Sequence, residues 1–170
     1  MNKLKHFTPD LFVERVFDIP IADLQAKGIK LLLFDLDNTL TEYHNPMVDF
    51  KTAAWVRNLE GYGLQACLFS NNKGPRVAKV AEQLGIPFVP RAQKPRKSGF
   101  KRVLALFHKR PQEVAIVGDQ LLTDTFGGRR AGIYTILVKP ISPREFWGTR
   151  HISRRIEKWL WPQVIKNMNR

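Results

Sequence analysis

Short continuous apolar runs alternate along this chain with stretches whose apolar residues recur at helical spacing. Continuous runs read as strands buried on both faces, and i, i+3, i+4 spacing reads as helices packed by one face. The first clear run is Leu31-Leu32-Leu33-Phe34, and it ends abruptly at Asp35 and Asp37. Further strands are expected at Leu64–Phe69, Ile86–Val89, Val114–Val117 and Ile133–Val138. Helices are expected from Val48 to Leu59, ended by Gly61 and Gly63, and from Gly74-Pro75 to the stop at Gly85. The second of these sets Val77, Val80, Ala81 and Leu84 on one face. A third carries Phe100, Val103, Leu104 and Phe107, and a fourth spans about Leu122 to Ala131. This alternation predicts an α/β fold, a Rossmann-like three-layer sandwich with a mostly parallel central sheet.

The N-terminal stretch reads differently. Thr8-Pro9-Asp10 is a plausible helix start, with Leu11, Phe12, Val16 and Phe17 forming an apolar face. Pro20 opens a second short helix that Lys27-Gly28 closes. The expected organisation is one domain over 1–170. Its core is about 28–140, its N-terminal helical segment 1–27 and its basic amphipathic C-terminal segment 141–170.

In such sheets ligands bind beyond the carboxyl ends of the strands. The unusual polar residues fall there: Asp35 and Asp37 after one strand, Ser70 and Asn71 after the next, Asp119 after another. Period-two geometry would put Asp35 and Asp37 on the same side of an extended chain. Unpaired buried carboxylates are costly, and a divalent metal would resolve that cost.

Composition changes the picture in one respect. The chain has 170 residues, with ordinary apolar and charged shares, but 28 Lys and Arg against 15 Asp and Glu leave a net charge of +13. Such a surplus suits phosphorylated substrates, anionic lipid or nucleic acid, and says nothing of fold. Cys67 is the single cysteine, which excludes an internal disulfide. It sits in an apolar run and reads as a small buried residue, not a nucleophile. His44 and His108 have no partner pattern. No signal-peptide pattern or membrane-spanning run is visible, so the expected location is cytoplasmic.

Together these residues resemble the haloacid dehalogenase (HAD) superfamily of phosphohydrolases. Phe34-Asp35-Leu36-Asp37-Asn38-Thr39-Leu40 looks like its first motif and Phe69-Ser70-Asn71-Asn72 its second. Lys94-Pro95 resembles the third, and Val117-Gly118-Asp119-Gln120 through Asp124 the fourth. More narrowly, the Gly28-Ile29-Lys30 lead-in and Gly118-Asp119-Gln120 resemble the YqeG family, itself similar to mitochondrial phosphatases acting on phosphatidylglycerophosphate. The resemblance implies a magnesium-dependent phosphomonoesterase. Asp35 would be the nucleophile, Asp37 the general acid and base, and Ser70, Asn71 and Lys94 the groups on the phosphate. Mg2+ would be held by Asp35, the Asp37 backbone carbonyl and Asp119, with Asp124 supporting the shell directly or through water. Proline after Lys94 favours an extended, non-helical residue there, as a loop position needs. Lys97 and Arg91 compete with Lys94, and the choice rests on the Lys-Pro pair.

No large cap domain is expected. Leu40 to Val48 is only a loop, and Ser70 to Lys94 holds one helix and one short strand. An open site takes its selectivity from a partner, a macromolecule or a membrane surface. The tail places Ile152, Ile156, Trp159 and Leu160 on one helical face beside Arg154, Arg155 and Lys158. That pattern suits a helix lying on an anionic membrane, peripheral at its inner face, and equally a helix packed on its own domain. Phosphatidylglycerophosphate is the substrate the resemblance implies, and soluble phosphate monoesters such as sugar phosphates or nucleotides are the alternative. A non-catalytic nucleic-acid-binding module is the reading from another class, and no nucleic-acid-binding signature supports it.

Overall fold

The computed structural model describes residues 6–43 and 45–142. Within them six strands form one sheet: β1 Leu11–Val13, β2 Leu31–Phe34, β3 Gln65–Phe69, β4 Phe88–Val89, β5 Val114–Gly118 and β6 Tyr134–Val138. The order across the sheet is β1-β6-β5-β2-β3-β4, and every pairing is parallel. The chain steps outward from β2 through β3 to β4, then returns to the far side of β2 to lay down β5. That reversal opens a crevice at the carboxyl end of β2, where sheets of this kind bind ligands.

Among the described residues five α-helices cover the sheet: α1 Ile21–Ala26, α2 Phe50–Asn58, α3 Gly74–Leu84, α4 Lys97–Leu106 and α5 Phe126–Ala131. The alternation within β2 decides which core each side chain joins. Leu32 and Phe34 pack with residues of α1, α2 and α3, whereas Leu31 and Leu33 pack with Phe100, Val103 and Leu104 of α4. All four β2 side chains are buried, as a central parallel strand requires. Asp49 caps α2 by accepting the Thr52 N–H at 3.0 Å. Gly85 closes α3 in the left-handed region, at φ +68°, where an L side chain would be strained. Cys67 is fully buried on the α4 side, and burial pushes its thiol up to about 12. That agrees with a packing role.

The N-terminal segment departs from the sequence reading. Leu11–Val13 is not the face of a helix but a sixth strand, in register with Ile136–Val138. Its apolar residues fit helical spacing, yet β6 without β1 would be an exposed edge with unpaired backbone groups. Pairing there outweighs the local pattern, a common outcome for short apolar stretches. Asp10 fastens the strand. It donates its own N–H to the Thr135 carbonyl at 2.9 Å and accepts the Thr135 N–H at 2.8 Å. Its other oxygen accepts from Arg129. The second expected helix is present as α1.

Two other elements differ in detail. The third expected strand shrinks to Phe88–Val89 at the sheet edge. The expected last helix begins as a wider turn over Leu121–Thr125, with i→i+5 bonding, before α5 continues it. The basic amphipathic tail expected over 141–170 lies outside the described residues beyond Ser142.

Candidate active site

Asp35 is the last residue of the β2 ladder, its N–H donating to the Val117 carbonyl at 2.8 Å. Beyond it the chain turns tightly. The Leu36 carbonyl receives the N–H groups of Leu40 and Thr41 at 3.1 and 3.2 Å, and Asn38 adopts φ 57°. The strand alternation therefore ends before Asp37, and the two aspartates meet different partners.

Asp35 meets Lys94. The ammonium Nζ lies 2.6 Å from Asp35 Oδ1 and 2.6 Å from Asp124 Oδ1, with Lys94 itself buried. Lys97, by contrast, is the exposed first residue of α4, and Arg91 is exposed. The loop that carries Lys94 is held at several points. Asn71 Nδ2 donates to the Lys94 carbonyl at 2.9 Å, and Asn71 Oδ1 accepts the Lys94 N–H at 2.8 Å. Gly99 of α4 lets the same loop close in, because a Cβ there would sit 1.8 Å from the Ala92 carbonyl oxygen. The Asn71 carboxamide thus has a structural task in placing Lys94.

The β5 end supplies the rest. Asp35, Asp119 and Asp124 are buried, and each offers a carboxylate oxygen within 4.8 Å of the others. The i→i+5 turn brings Asp124 back over the strand end; its Oδ2 accepts the Gln120 N–H at 3.2 Å. Such wide turns recur at functional sites. Gly118 makes room for it, since a Cβ there would meet Asp124 Oδ2, Cγ and Cβ at 2.2, 2.3 and 2.8 Å. Gly118→Ala is therefore expected to displace Asp124 and to weaken divalent-ion binding and turnover by about 10- to 100-fold, the usual cost of disturbing a ligand's support. Titration calorimetry with Mg2+ beside steady-state rates checks it.

The electrostatics follow from that crowding. Burial raises Asp35 to about 6, the Lys94 ammonium works against the rise, and the Asp124 and Asp37 charges add to it. Burial alone would lower Lys94, but the Asp124 and Asp35 carboxylates overcome this and hold it above the ordinary lysine range. Three carboxylates against one ammonium leave a formal charge of −2 in a buried space, the complement of a divalent cation. The donor set, all carboxylate oxygen, fits a hard ion such as magnesium.

Asp37 stands apart from that acidic group. Its Oδ2 accepts from Asn72 Nδ2 and its Oδ1 from Arg76 Nη1. Ser70 is buried at the end of β3, where its Oγ accepts the Asn72 N–H at 3.2 Å and so keeps a hydroxyl proton to donate. Arg76 is a site residue that sequence reasoning passed over, and Asn72 stands in the second motif with no role assigned to it. The available signal was position: Arg76 lies in the first turn of the helix that starts at the β3 end.

Among the described residues no separate domain covers this face. The segment between β3 and Lys94 holds α3 and the two-residue β4, the isolated Asp37–Thr41 bridge closes the turn after β2, and 45–49 hold no helix or strand. No helix among them is long and apolar enough to cross a membrane.

The fully parallel sheet, with acidic residues at the ends of β2 and β5 and a lysine reaching in from the loop after β4, belongs to a phosphatase, a phosphoric monoester hydrolase, as its sequence relatives show. The sequence model of the mitochondrial PGP phosphatase family matches residues 1–142, and the chain belongs to that family. It is 36% identical over 154 residues to "Probable phosphatase YqeG" of Bacillus subtilis, covering 91% of this chain and 89% of that one. It is 34% identical over 161 residues to "Phosphatidylglycerophosphate phosphatase 1, chloroplastic" of Chlamydomonas reinhardtii, covering 89% of this chain and 60% of that longer protein. Among solved structures, the fold is shared with 3-deoxy-D-manno-octulosonate 8-phosphate phosphatase of Moraxella catarrhalis, determined with magnesium, phosphate and KDO. That likeness has a TM-score of 0.55 at 21% identity, over 68% of this chain and 71% of that one. The nucleic-acid-binding reading gives way to an enzyme.

Proposed function

We propose that the chain hydrolyses a phosphate monoester in two steps, with magnesium at Asp35, Asp119 and Asp124, and that its substrate is phosphatidylglycerophosphate. The observation that carries this reading is the buried three-carboxylate group with Lys94 bridging two of its members. The substrate rests on the family and on the phosphatidylglycerophosphate phosphatases among the relatives.

Magnesium, when bound, supplies neutralisation of the phosphoryl charge and an in-line geometry. The chain's own residues do the rest. Lys94 holds one oxygen of Asp35 and orients the carboxylate toward phosphorus. An Asp35 oxygen bonds to phosphorus as the ester P–O bond breaks, and Asp37 gives its proton to the departing alcohol oxygen. A water then attacks phosphorus and yields its proton to Asp37. The Asp35–phosphorus bond breaks and inorganic phosphate leaves. Ser70 donates its hydroxyl to a phosphoryl oxygen throughout. Asn71 serves the phosphate by holding the Lys94 loop in place. A bound ion would be held by the Asp35, Asp119 and Asp124 side chains, and the Asp37 backbone carbonyl would serve as a further oxygen ligand.

An open site suits a headgroup presented at a surface. The net charge of +13 favours peripheral association with an anionic membrane from the cytoplasmic side. The test compares phosphate release from phosphatidylglycerophosphate in detergent micelles with release from sugar phosphates and nucleotides, in Mg2+ and in EDTA. Release from the lipid in Mg2+ alone is expected. Turnover of soluble esters only would remove the lipid substrate, and full turnover in EDTA would remove the metal.

A further inference from the structure

We propose that Arg76 is the positioning residue for Asp37, holding the acid–base carboxylate by a guanidinium fork anchored to the loop that follows it. The inference rests on the two-step reading above and extends it to a residue outside the four motifs.

The geometry has two halves. At the front, Arg76 Nη1 donates to Asp37 Oδ1 while Asn72 Nδ2 donates to Oδ2. One donor on each oxygen fixes both the direction and the plane of a short carboxylate. At the back, Arg76 Nη2 donates to the Asn45 carbonyl at 2.9 Å, Thr41 Oγ1 at 3.1 Å and the Glu42 carbonyl at 3.3 Å. The guanidinium is planar, so anchoring one nitrogen to the loop aims the other. Only 12% of the Asp37 side chain and 21% of the Arg76 side chain are exposed, which limits competition from water. Asp37 lies beyond β2, in the tight turn where Asn38 adopts φ 57°, and its carboxylate is held by these two donors. Lys94, the other cation of the site, is committed to Asp35 and Asp124.

A positioned acid matters most where the leaving group needs its proton. An alkoxide leaving phosphatidylglycerophosphate must be protonated by Asp37 as the P–O bond breaks, whereas p-nitrophenolate departs as a stable anion. The experiment measures kcat and KM for Arg76→Met and Arg76→Lys on both esters, with thermal melts confirming the fold. For Arg76→Met, kcat on the lipid ester is expected to fall about 100-fold or more, that on p-nitrophenyl phosphate no more than about tenfold, with KM little changed. Arg76→Lys keeps the charge but cannot bond Asp37 and the loop with one planar group, and the same skew is expected in smaller degree. Added methylguanidinium is expected to recover the lipid-ester rate of Arg76→Ala. Equal losses on the two esters, or lysine restoring both to the wild-type rate, would overturn the proposal and leave Arg76 a fastener of the loop. Should Arg76→Met fail to fold, the ester ratio of Arg76→Lys decides alone. Failure of the unmodified protein to hydrolyse either ester would instead overturn the two-step reading itself.

Discussion

Asp35→Asn is expected to lower turnover on the order of 10⁴-fold or more and, without divalent ions, to raise the melting temperature. The first effect follows from removing the proposed nucleophile. The second follows from its surroundings. In the folded protein Asp35 is raised to about 6 from an ordinary 3.8, chiefly by burial. The folded state therefore holds the Asp35 proton more tightly than the unfolded chain does. That contribution is fully present below the unfolded value and is lost as pH rises through about 6. Above it, an ionised Asp35 burdens the metal-free fold, and the neutral amide removes the burden while keeping an oxygen for Lys94. Melts of the two proteins in EDTA are expected to differ most above pH 6 and to converge toward pH 4. Added Mg2+ should raise the wild-type melting temperature more than that of the variant. A variant that keeps its turnover removes Asp35 as nucleophile.

Lys94→Met is expected to damage both activity and stability. The ammonium is the charge partner of two buried carboxylates at 2.6 Å each. Removing one partner of a buried pair leaves uncompensated charge and costs about 3–5 kcal/mol. Turnover should fall by at least ~10²-fold, because the cation that holds Asp35, and that is proposed to meet the phosphoryl oxygens, is gone. The opposite signs of the two stability changes test one claim, that negative charge is in excess here. Lys97→Met, at an exposed position on α4, serves as the control and is expected to stay within about twofold. Chemical denaturation and steady-state rates on purified proteins give both numbers. A Lys94→Met protein as stable and active as wild type would contradict the arrangement.

Most of the sheet was legible in the chain. β2 and β5 are continuous apolar runs too short for helices, and Gly63 and Gly85 mark the helix ends. The residues that gather at the strand ends were legible for the same reason: topology places Asp35, Ser70 and Asp119 on one edge whatever their side chains then do. β1 was not legible. Leu11, Phe12, Val16 and Phe17 fit a helix equally well, and only the open edge of β6, far away in sequence, selects the strand. Arg76 was missed for a similar reason. A first-turn arginine on a helix looks like a solvated charge until the turn after Leu36 brings Asp37 to it. The close approach of Asp124 to Gly118 was equally hidden, since the i→i+5 turn that produces it leaves no mark in apolar spacing.

The most direct test is a crystal structure grown with Mg2+ and beryllofluoride, which mimics a phosphoryl group on a carboxylate. The account predicts beryllium bonded to an Asp35 oxygen, and one octahedral ion touching Asp35 and Asp119, with Asp124 bound directly or through water. Beryllofluoride on another residue, or the three carboxylates holding no ion at saturating Mg2+, would contradict it.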